Sequence, residues 1–261
     1  MNKFRRCVFV CNMNGGLGDI FLTMLLLIHK HFDYIEEDLI INFIHDNDKY
    51  DFNHFKKLFL LEYPKKWQIL NQSLNKVDYG MYHENFRVYE KLYKLDFRPF
   101  FNIDVKTNIR ISSNKKTVTY KIYVHDIHTQ EDITKKLLNY KSISNEQYEL
   151  VKNLFSKYKN QINFVEFYDW NNDVRTLNKD VILTDPIEVS NNNLKLINHS
   201  DLIICCEGFF SIASNVFKKE TIVYCENEGL CDLKNFNQYF CTNFNSFLKE
   251  IEHQLCLLIK E

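Results

Sequence analysis

Short, almost wholly apolar runs alternate with segments whose apolar positions recur every three or four residues, and this rhythm continues along most of the chain. Cys7-Val8-Phe9-Val10-Cys11 and Asp38-Leu39-Ile40-Ile41-Asn42-Phe43-Ile44 have the length and the β-branched or aromatic content of buried strands. Between them, residues 20–28 are apolar and end in His29-Lys30-His31, a basic C-terminus that suits a helix dipole. Phe52, Phe55, Leu58 and Phe59 fall at helical spacing, a weaker strand covers 67–70, and a further helix is predicted over 83–93. Strand and helix in alternation mean a parallel sheet with helices packed on it.

The piece from Arg98-Pro99 to Lys116 is polar and irregular and ends in Ser112-Ser113-Asn114-Lys115-Lys116, the composition of an interdomain linker. Beyond it the rhythm restarts. Strands are predicted over 118–124, 162–167, 180–183, 201–206 and 221–225. Ser144-x-x-Gln147 is a capping box opening a helix over 144–159, with Leu150, Val151, Leu154, Phe155 and Tyr158 as its apolar stripe. A short helix over 194–197, another running from Glu207-Gly208 to Phe217, and an amphipathic helix over 244–259 complete the pattern. The expected architecture is α/β with two Rossmann-like domains, 1–112 and 117–261.

Glycine placement sharpens this picture. Of six glycines in the chain, three are Gly15, Gly16 and Gly18, in Asn12-Met13-Asn14-Gly15-Gly16-Leu17-Gly18-Asp19. Glycine allows positive φ and close approach of backbone to a ligand, so the loop reads as a tight strand-to-helix turn. Backbone N–H groups at the helix start would suit a phosphate, a carboxylate or a polar sugar. The spacing is not G-x-G-x-x-G and no Lys-Ser/Thr follows, so neither the dinucleotide fingerprint nor the P-loop is met.

Composition removes several classes of function. A formal net charge of -1 leaves no bulk electrostatic footprint for nucleic acid or an anionic membrane. The eight cysteines include no C-x-x-C pair and sit mostly in apolar strands, as small buried hydrophobes in a reducing, cytoplasmic setting would. Lys3, Arg5 and Arg6 precede an apolar run that the Asn/Gly loop interrupts too early for a signal peptide, and residues 20–28 are too few for a membrane span.

Two α/β halves, one with Gly18-Asp19-Ile20-Phe21-Leu22-Thr23 after its first strand, resemble the GT-B glycosyltransferases. So does the run His199-Ser200-Asp201-Leu202-Ile203-Ile204 followed by Glu207-Gly208-Phe209-Phe210-Ser211-Ile212-Ala213-Ser214 in the other half. The pattern is most similar to the heptosyltransferase-like family, which transfers sugars from nucleotide-diphosphate donors. Two positions depart from it: Ser211 stands where the family has His, and Cys225-Glu226-Asn227-Glu228-Gly229 replaces a Gly-Pro-Thr turn. The resemblance implies paired Rossmann-like domains facing a central cleft, a nucleotide sugar and a glycan acceptor as partners, and no cofactor or metal. Asp19 would be the catalytic base, taking the acceptor hydroxyl proton. Asn14, Gly15, Gly16 and Gly18 would meet the acceptor. Glu207, Gly208, Phe209, Ser211 and Glu226 would meet the donor.

The residues also support plainer assignments. Asp19 suits the first turn of a helix by roughly 0.3–1 kcal/mol, Glu207 suits an N-cap, and Ser211 suits a cap in a simple strand–helix turn. His125-Asp126-Ile127-His128 follows a strand and offers a donor contact at His125, a solvated loop, or two of the ligands a metal needs. Arg175, with Arg98 and Arg110 among the few arginines outside the N-terminus, could present a guanidinium fork to a diphosphate. Asp46-Asn47-Asp48 has the Asp-x-Asp of metal-dependent transferases but arrives after only two strands, too early for that fold's layout, so it reads as a solvated loop. Two other functions stay open: a Rossmann-type methyltransferase or epimerase using the 15–18 loop, with His45-Asp46 at the end of its second strand, and a non-catalytic protein that keeps a transferase fold.

Overall fold

The computed structural model describes residues 7–13, 39–45, 68–70, 114–125, 141–167, 189–226 and 238–260, together with Gly18, Phe21 and Leu25. The chain divides into two compact units, Met1–Ile103 and Asp104–Glu261. The predicted helices over 52–59 and 83–93 and the predicted strand over 180–183 lie outside the described residues.

In the first unit three parallel strands, β1 (Cys7–Met13), β2 (Leu39–His45) and β3 (Gln68–Leu70), pair in the order β1-β2-β3. Backbone at Gly18, Phe21 and Leu25 is helical, and Phe21 and Leu25 are fully buried. Their spacing of four places them on one face of the predicted helix, which is what the apolar run after the glycine loop requires.

The second unit is built on five parallel strands: β4 (Lys116–Lys121), β7 (Ile162–Glu166), β8 (Leu202–Cys206), β9 (Thr221–Tyr224) and β10 (Gln238–Cys241). Their spatial order is β10-β9-β8-β4-β7, so the first strand lies between the second and the third, the 2-1-3-4-5 order of a doubly wound sheet. A small parallel pair, β5 (Tyr123–His125) with β6 (Ser142–Ser144), stands beside it. The single strand predicted over 118–124 is thus two, β4 and β5, broken at Ile122. Among the described residues four helices accompany these strands: α1 (Asn145–Tyr158), α2 (Val189–His199), α3 (Phe209–Val216) and α4 (Phe244–Leu258), the last following β10.

Alternation along each strand sends side chains to two helix layers. Val118, Tyr120, Phe164, Leu202, Ile204, Ile222 and Tyr224 form one core with Val151, Leu154 and Phe155 of α1 and Phe247, Ile251 and Leu255 of α4. Phe155 stacks on Phe164 with centroids 4.4 Å apart and meets Tyr120 edge-on at 5.1 Å. The alternate residues Val165, Ile203, Cys205 and Val223 are fully buried as well. The strands therefore read as continuous apolar runs, as strands covered on both faces do.

Helix ends follow local chemistry. The Ser144 hydroxyl accepts the Gln147 N–H at 3.2 Å while Gln147 Oε1 accepts the Ser144 N–H at 2.9 Å, so the capping box forms as the sequence predicts. Asn243 caps α4 by accepting the Ser246 N–H at 2.9 Å. Asp201 sets the register of β8 on β4. Its carboxylate accepts the Thr117 N–H at 2.7 Å, and its own N–H donates to the Thr117 carbonyl at 2.9 Å. Among the described residues no helix is long and apolar enough to cross a membrane.

Phe155→Ala should cost about 3–5 kcal/mol, because it empties the stack between α1 and the sheet, and Ser144→Ala about 1 kcal/mol through the lost cap. Urea unfolding should show the first as a large fall in midpoint and the second as a small one; equal effects would contradict this packing.

Candidate functional site

All five strands of the second sheet are parallel, so their carboxyl ends share one edge. From β4 the chain leaves toward β7, and from β8 it leaves toward β9. Between β4 and β8 lies the topological switch point, where open α/β sheets receive ligands. Two stretches meet there. After β4, the Tyr123 N–H donates to Cys206 Sγ at 3.4 Å, which holds the start of β5 against the last residue of β8. After β8, Glu207 and Gly208 turn the chain into α3.

The turn depends on glycine. Gly208 has φ 147° and ψ −150°, backbone that L side chains rarely adopt, and a Cβ placed there would meet no atom of the described residues within 4 Å. Backbone conformation thus demands glycine, and among the described residues open space stands in front of it. Behind it, the Glu207 N–H donates to the Tyr224 carbonyl at 3.0 Å, extending the β8–β9 ladder by one residue. Ser211 Oγ accepts the Gly208 N–H at 3.1 Å and donates to the Gly208 carbonyl at 2.8 Å. Gln238 reaches from β10 to the Ser211 carbonyl. Phe210 stacks on Phe167 with centroids 4.2 Å apart, and Phe209 lies against Phe210.

Two ion pairs flank the switch point. Lys141, immediately before β6, pairs with Glu207, whose residue is only 9% exposed. Lys121 at the end of β4 stands 3.9 Å from Glu166 at the end of β7, both side chains nearly buried. Neither pair was apparent from sequence, since each joins residues far apart along the chain. A lysine just ahead of a capping box, as Lys141 is of Ser144, was the one local sign of a fixed position.

No family model matches this chain, and no curated protein matches it. In solved structures it is similar to the iron-containing dodecameric glycosyltransferase TibC of enterotoxigenic E. coli H10407. The identity is 11% and the TM-score 0.43, over 83% of this chain and 57% of that one. The chain thus spans little more than half of that neighbour's length. What the switch point can bind is set by the residues that stand there.

Of the donor-side residues expected from sequence, Glu207, Gly208, Phe209 and Ser211 occupy this one turn. Ser211 is buried and its hydroxyl closes on Gly208 backbone, which is the work of a cap. Glu226, exposed just past β9, accepts the Tyr224 hydroxyl. Burial and that carboxylate push the Tyr224 phenol well above its ordinary range. The backbone of His125 ends β5, opposite Ser144. Gly18 is buried on helical backbone, while Asn14, Gly15, Gly16, Asp19 and Arg175 lie outside the described residues, as do Asp46, Asn47 and Asp48. Among the described residues no group of three His, Cys, Asp or Glu side chains could hold a metal ion.

The cysteines near the edge are inert. Burial pushes the Cys206 thiol from 9.0 up to about 12, and Cys205 rises for the same reason. An acid whose folded pKa exceeds its unfolded one stabilises the fold below the unfolded value and loses that contribution as pH rises. Stability should therefore decline between about pH 9 and 12. At pH 7.5 a thiol reagent should label the partly exposed Cys256 of native protein before the buried Cys205, Cys206, Cys225 or Cys241; peptide mapping of the adducts would show the order.

Proposed function

We propose that the protein is a metal-independent glycosyltransferase of GT-B type that moves a sugar from a nucleotide-diphosphate donor to an acceptor hydroxyl. The observation that carries this reading is the Gly208 turn at the switch point, with open space before it among the described residues and the Lys141–Glu207 ion pair one residue ahead of it. A helix start leaves backbone N–H groups without intrahelical partners and carries partial positive charge. The α3 end of the turn therefore suits the charge of a diphosphate and would stabilise it further as the sugar–oxygen bond breaks.

In this reading the acceptor is received by the glycine loop of the first unit, through Asn14, Gly15, Gly16 and Gly18. Asp19 takes the proton as the acceptor oxygen attacks the anomeric carbon and the nucleoside diphosphate leaves. Glu226 and Phe209 contribute to the donor wall, with His125 and Arg175 as further donor contacts. Ser211 acts from behind, by holding Gly208 in its left-handed conformation.

A thermal-shift screen over UDP-, GDP-, ADP- and dTDP-sugars tests the proposal. At a hundredfold excess over Kd the matching donor should add about 2.7 kcal/mol of stability. Gly208→Val should abolish that shift, because the branched side chain both strains the turn and fills the space before it. Asp19→Asn should keep the shift while turnover falls by about 10²–10⁴. A screen in which no nucleotide sugar moves the melting temperature would remove the proposal and favour a non-catalytic protein on the same fold.

A further inference from the structure

We draw no further inference here: the strongest candidate, the surface patch of Tyr123 and Val124 on β5 beside the switch point, is apolar and exposed, and nothing in the structure shows what covers it.

Discussion

Because β4 is hydrogen-bonded along both edges, to β7 and to β8, and its side chains are buried to both sides, neither neighbour can slip by one residue. A slip would turn Val118 and Tyr120 out of the layer they share with Phe155 and carry Thr119 into it. The hydroxyl of Thr119 is itself committed to Ser200, just ahead of β8. From this one constraint the site follows. A first strand lodged between the second and third forces successive connections to diverge, and the divergence leaves the β4 and β8 ends free to carry Lys121, Glu207 and Gly208 on one edge.

Charge at that edge is arranged in opposed couples: Lys121 with Glu166 and Lys141 with Glu207. Removing one member of such a couple leaves a charge with little water around it, which costs more than the intact couple contributes. Conformational commitments are of the same kind. Gly208 holds a left-handed φ, Ser211 spends its hydroxyl on Gly208 backbone, and Gln238 secures the next carbonyl from β10. The turn is preformed, so a ligand there need not order it.

How legible this was depended on how local each cause was. β8 and β9 announce themselves because a strand covered on both faces is an unbroken apolar run, and α1 does so through its stripe and capping box. Ser142-Ile143-Ser144 did not read as a strand: it is three residues long, and its partner is β5 rather than anything adjacent. Gln238-Tyr239-Phe240-Cys241 escaped as well, since it lies at the end of the sheet, half exposed, with no continuous apolar signal. α2 begins at Val189, ahead of the predicted 194, through a Ser-Asn-rich segment in which propensity alone argues for a loop. Gly208 was legible because it follows an unbroken apolar strand and opens an apolar helix, in a run that resembles the transferase pattern. Lys141 was missed because its meaning lies in Glu207, which only the fold brings near.

The strand order also has a consequence in time. β4 and β7 are made before β8, so the far edge of β4 has no permanent neighbour until β8 follows, and Thr119 waits 81 residues for Ser200. At bacterial or eukaryotic elongation rates that interval is roughly 4–16 seconds. Throughout it, a nascent chain carries an apolar strand with one open side, the condition under which chaperone capture or mispairing competes with folding.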